Sequence, residues 1–256
     1  MRGLPLLGAS IFGYAGAMVR VLILLLTLGL GSLPLHAQGF WAKKDWRQWS
    51  ERECRKILED SPWARSRIIG VSVLRETGQT APVDGRVSEP QITYVAQLWS
   101  ALPVRQAAIR RVQLDSNFAK LPESDRKALE ERHNRVLEAD FADRIVIKVL
   151  ISTNVPQYVQ DLSRYLQNRP GDLWKQDTFL IAGSQRVPPA EVRVSPDGSE
   201  FQLIFPRHVN GQPVIRPGDK SFSLEFVHPT TGPLREQRVL LEFKVADLTM
   251  NQQTLF

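Results

Sequence analysis

Hydrophobic and polar positions change period several times along this chain, and each change marks an element. At the N-terminal end Arg20 precedes an unbroken apolar run from Val21 to Leu26, which continues through Leu28 and Leu30 to Pro34 and Ala37. Between 45 and 64, in DWRQWSERECRKILEDSPWA, apolar residues recur at helical spacing among charges. Ser50 with Glu53 three positions on is a capping-box pattern that makes Ser50 the N-cap and puts Trp49 and Cys54 at the two hydrophobic-staple positions. Ile57 and Leu58 extend that stripe, and Pro62 ends the helix near Asp60. Asp45 with Gln48 predicts a short turn before it that carries Trp46. A helix docked by Trp46, Trp49, Cys54 and Ile57 onto a sheet follows, with Trp63 packing as the chain leaves.

Residues 67–74 (RIIGVSVL) and 91–100 (QITYVAQLWS) read as strands, separated by a polar loop holding Gly78, Pro82, Gly85 and Pro90. Pro103 suits the first turn of a helix that runs to about Leu114. A second helix starts at Glu123 and gathers Leu129, His133, Val136 and Leu137 on one face. Its solvated face offers Glu123 to Lys127 and Glu131 to Arg135 as pairs of favourable orientation. From Asp143 the period falls to two: Ile145, Ile147, Val149 and Ile151 alternate with Lys148 and Leu150. Tyr158, Leu162, Tyr165 and Leu166 then predict a helical crossover. Beyond Pro170-Gly171 alternating strands dominate, at Phe201-Leu203-Phe205, at Phe222-Leu224-Phe226 and at Val239-Leu241-Phe243-Val245. Turns at Pro196-Asp197-Gly198, Asn210-Gly211, Pro217-Gly218-Asp219 and Thr231-Gly232-Pro233 separate them. If the strands at 199–206 and 220–228 pair as a hairpin, His208 and His228 lie ~25 Å apart and share no site; the NQQTLF tail is expected to add a last edge strand.

The pattern predicts an α+β protein. An N-terminal helix and strand portion over 38–142 stands against a C-terminal antiparallel β-sandwich of immunoglobulin-like architecture over 143–256. The two are continuous if the strand after Asp143 pairs with those at 67–74 and 91–100.

Arg20, the apolar run and Ala37 together predict a secretory signal peptide cleaved after Ala37. Counted from Met18 its length is about 20 residues, within the usual range, so Met18 is the expected translation start. The alternative is an N-terminal membrane anchor, because residues 3–19 are also mostly apolar. Cleavage takes 37 residues from 256 and leaves 219, without Arg2 and Arg20, so the formal charge falls from +6 to +4. Lysines and arginines are interleaved with acids, which excludes a nucleic-acid footprint. Cys54 is the sole cysteine, so no internal disulfide forms and the core must carry stability. The mature chain is expected to be periplasmic or secreted, with no membrane span.

WSERECRKILEDSPWA and YVAQLWSALPVRQA resemble segments of uncharacterised exported proteins of soil bacteria. The resemblance covers about residues 41–115 and, more loosely, the C-terminal strands. It implies export and a shared fold, and it supplies no activity.

Catalytic chemistry finds little support. His133, His208 and His228 lack zinc-ligand spacing, and Glu130 with His133 is one copy of a motif that di-iron chemistry needs twice. No GxSxG elbow, phosphate-cradling loop or second cysteine occurs. Neither a cofactor nor a metal is predicted. Two recognition surfaces are candidates: Trp99 with Tyr94 as an exposed aromatic face, and Arg207, His208 and Arg216 as a basic loop around Asn210-Gly211. The expected function is a non-catalytic binding or scaffold protein of the periplasm or envelope with an envelope protein as partner. The alternative is an envelope hydrolase whose acids meet only in space.

Overall fold

Alternation resolves into two main antiparallel sheets. The first has the order β1-β2-β3-β7-β6, from Ala64–Gly70, Gln91–Leu98, Arg144–Thr153, Glu200–Pro206 and Glu191–Val194. The second has the order β11-β10-β4-β5, from Gln237–Lys244, Ser221–His228, Phe179–Ala182 and Gln185–Val187. The protein is seen through a computed structural model that describes residues 39–70, 89–216, 218–250 and 253–256, with backbone alone for Met250, Gln253 and Thr254. The predicted signal segment with Met18, the predicted strand end at 71–74, the turn residues Gly78, Pro82 and Gly85, Pro217, and 251–252 lie outside the described residues. Helices and antiparallel sheets together make the chain α+β, and Phe40–Phe256 form one unit.

Register decides which side chains share a face, because directly opposed residues in a ladder project to the same side. Tyr94 faces Ile151, Ala96 faces Val149, Leu98 faces Ile147, and Val149 faces Phe201. One face of the first sheet therefore carries Tyr94, Ala96, Leu98, Ile147, Val149, Phe201 and Leu203, all buried. In the second sheet Phe222 opposes Phe243 and Ala182, and Leu224 opposes Leu241 and Leu180. Phe226 meets Tyr94 edge-on at 5.0 Å between ring centroids and Phe201 at 5.6 Å, so these apolar faces touch.

The strands at 199–206 and 220–228 do not pair as a hairpin. β7 pairs with β3 and β6, while β10 pairs with β4 and β11. Alternation fixes a strand's faces but not its partner, and the Asn210-Gly211 turn closes only a two-residue ribbon, β8 (His208–Val209) with β9 (Gln212–Pro213). Both turn residues adopt positive φ, 51° and 75°, as a tight hairpin of matching twist demands. β3 lies between β2 and β7, so the first sheet draws strands from both sides of Asp143.

α1 (Glu51–Glu59) begins as the sequence predicts. Ser50 Oγ accepts from the Glu53 N–H, and the Glu53 carboxylate accepts from the Ser50 N–H at 2.7 Å. Trp49, Cys54 and Ile57 are buried and Trp46 is half-buried. Their support is chiefly α2 (Leu102–Asp115) rather than a sheet alone: Arg110 Nε donates to the Trp49 carbonyl at 3.0 Å, and Gln97 on β2 donates to the Leu58 carbonyl at 2.9 Å. In the turn before α1, Asp45 caps the Arg47 N–H in place of a box with Gln48.

α3 (Glu123–Leu137) buries only His133, while Leu129, Val136 and Leu137 stay half-exposed. The pairs Glu123–Lys127 and Glu131–Arg135 are absent from its ion pairs, which fits the small gain such exposed pairs offer. Its C-terminal end is held by the buried Arg105, whose Nη1 donates to the Val136 and Leu137 carbonyls, each at 2.8 Å. These are orphan acceptors of the last turn, where a cation is also favoured by the helix dipole.

α4 (Pro156–Asn168) and α5 (Gly171–Asp177) make the crossover from β3 to β4. α4 is pressed between two glycine turns: at Gly198 (φ +66°) a Cβ would collide with the Ser163 backbone, and at Gly232 (φ +55°) with the Tyr158 ring. At the chain end β12 (Thr249–Met250) pairs with β13 (Gln253–Thr254). Trp63 Nε1 then donates to the Leu255 carbonyl at 3.0 Å, and Phe256 packs on Phe222.

Candidate functional site

The second face of the first sheet is only partly covered. Ladder partners on it are Ile68 with Thr93, Ser66 with Val95, Val95 with Leu150, Gln97 with Lys148, and Leu150 with Glu200. α1 covers one end through Leu58, and Arg111, Val112 and His133 from α2 and α3 form a wall. The remainder is a groove of two adjoining recesses, about 470 Å³ and about 500 Å³, that share Leu58, Gln97, Arg111 and Leu150. Val95, Trp99 and Leu150 are half-exposed there, and Ile68 on the same face is 59% exposed.

Four of the charged side chains in the groove are already paired. Lys148 Nζ lies 4.3 Å above the Trp99 ring and 3.0 Å from Glu200 Oε1, with side chains only 16% and 29% exposed. Arg111 stands 3.7 Å from Asp115. His133 packs near Phe118, its Nδ1 is buried without a partner among the described residues, and burial holds its pKa below the ordinary value, with Glu130 opposing. The groove wall thus gathers His133, Asp115 and Glu200, yet each acid is engaged by a cation and His133 hydrogen-bonds to neither. Among the described residues no group of three or more His, Cys, Asp or Glu is placed to hold a metal.

Trp99 sits in the groove beneath Lys148. Tyr94, five positions away and so on the opposite face, lies in the core at 2% exposure rather than beside Trp99. Its hydroxyl shares a hydrogen bond of 2.8 Å with His228 Nδ1. His228 is fully buried, its Nε2 has no partner among the described residues, and desolvation pushes its pKa down to about 4. Arg207 is tied to the Phe141, Arg144 and Phe256 carbonyls at 3.0, 3.2 and 2.6 Å, so its donors are committed to the fold. His208 and Arg216 remain exposed. Cys54 is inert as a nucleophile, because burial pushes its thiol up to about 11.

Val95, Lys148, Leu150 and Glu200 were not singled out as site residues in the sequence. The one signal was Lys148, a lysine inside the apolar strand RIVIKVLIST. No family model matches the chain, and neither a curated protein nor a solved structure does. Among the described residues no helix is long and apolar enough to cross a membrane.

Proposed function

We propose that the protein is an exported, non-catalytic binding or scaffold module of the periplasm or cell envelope, and that its envelope protein partner seats on the open face of the first sheet. One observation carries this reading: a half-covered sheet face bears Ile68, Val95, Trp99 and Leu150 beside the Lys148–Glu200 pair. The wet side of an antiparallel sheet is normally polar, and clustered apolar side chains there mark contact surfaces. The two sheets, in contact through Tyr94, Phe201 and Phe226, are read as the layers of a β-sandwich, immunoglobulin-like in its layering, that presents this face. Export rests on the signal segment ending at Ala37 and on the resemblance to exported soil-bacterial proteins.

The test is a crosslinked pull-down of the tagged protein from its own cells, set against the Leu150→Glu variant. A stoichiometric envelope protein recovered with the parent chain and lost with the variant supports the reading; recovery unchanged by the variant contradicts it. A second reading, an envelope hydrolase, draws on the gathering of His133, Asp115 and Glu200 at the groove. It requires hydrolysis of envelope esters or glycans that His133→Gln abolishes while the fold is retained.

A further inference from the structure

A separate recess of about 520 Å³, within the usual size range of small-ligand pockets, lies between the α4–α5 turn and β6. Arg169 follows the last residue of α4, and Pro170 turns the chain into α5. The Arg169 guanidinium lies between the Tyr165 and Trp174 rings, 5.2 and 5.0 Å from their centroids, with its side chain only 6% exposed. Its Nη2 donates to Asp177 and to the Leu173 carbonyl, while its Nε is buried with no partner among the described residues. Arginine carries donors only, so that this N–H lacks an acceptor among the described residues while its side chain lines the recess.

The charges around it are unequal. Asp177 offsets Arg169, and Glu191 on the opposite wall is held by a bidentate pair from Arg193 at 2.6 and 3.0 Å. Lys175, exposed at the rim, has no ion-pair partner among the described residues, so the recess keeps an excess positive charge. Leu166, Trp174, Val192 and Val194 supply apolar wall. Arg105 also has an Nε with no partner among the described residues, but its Nη1 serves as the cap of α3. A spare guanidinium donor and one ammonium suit a monoanion; a phosphate dianion calls for more donors.

We propose that this recess binds a small organic carboxylate with an apolar body, the carboxylate between Arg169 and Lys175 and the body against Trp174 and Val192. The site is independent of the groove on the first sheet.

The test titrates the full chain with phenylacetate, followed by saturation-transfer NMR and calorimetry, with 2-phenylethanol and inorganic phosphate as comparison ligands. Phenylacetate is expected to bind with a dissociation constant of about 1 mM or tighter, and 2-phenylethanol about tenfold more weakly. Lys175→Gln weakens phenylacetate about tenfold, and Ala190→Trp, which fills the recess from an exposed position, abolishes binding; both variants melt as the parent does. Equal affinity for acid and alcohol, displacement of phenylacetate by equimolar phosphate, absence of binding at 10-fold above ~1 mM, or affinity unchanged in both variants overturns the assignment.

Discussion

The two faces of the five-stranded sheet are made by the same strands and differ in almost every physical respect. Tyr94, Ala96, Val149 and Phe201 point to one side and are buried; Thr93, Val95, Leu150 and Glu200 point to the other and are half-exposed. Period-two geometry sorts them, and burial follows from what lies opposite. The inner face meets Phe226 of the second sheet, whereas the outer face meets α1, α2 and α3 at one end only. A residue's parity therefore separates positions that hold the fold from positions available for contact.

The largest expected effect lies on the inner face. Phe226→Ala removes the ring that touches both Tyr94 and Phe201 and is expected to cost about 4 kcal/mol in denaturant unfolding. Trp49→Ala is expected to cost about 3 kcal/mol, since its indole is buried and packs edge-on against Phe40. A melting temperature unchanged by that substitution would refute the staple's role in docking α1.

His228 sharpens the comparison through pH. Its imidazole is protonated near pH 6.5 when unfolded but resists protonation down to about 4 when folded. The unfolded chain thus binds more protons between these values, so the contribution is complete above about 6.5 and is lost as pH falls toward 4. Stability measured between pH 7 and pH 4.5 should decline in the parent more steeply than in His228→Gln; parallel curves would show that another group governs the acid limb. The smallest effect belongs to the outer face, where Leu150→Ala should change stability by less than ~1 kcal/mol. A loss as large as that of Phe226→Ala would mean that Leu150 is core.

Local features were the legible ones. The Ser50–Glu53 box was readable because its two partners are three residues apart and its chemistry is set by the helix end. Strand faces were readable from alternation, as at Ile145, Ile147 and Val149. Strand partners were not, since β7 alternates identically whether it pairs with β3 or with β10, and the Asn210-Gly211 turn served a shorter ribbon. Tyr94 and His228 meet across 134 positions, a contact that no local rule encodes. For the groove, Lys148 was visible as a polar intruder, but Trp99, Glu200 and Arg111 converge on it only through the sheet order and the placement of α2.

The direct test of the outer face as the contact surface is site-specific photocrosslinking in the producing cells, with the photoreactive residue placed at Leu150 or at Leu240. Leu240 is 54% exposed on the outer side of the second sheet and serves as the reference position. A single envelope-protein adduct is expected from position 150 and none from 240. Adducts of equal yield from both positions, or none from 150 with the protein at its native level, would contradict it.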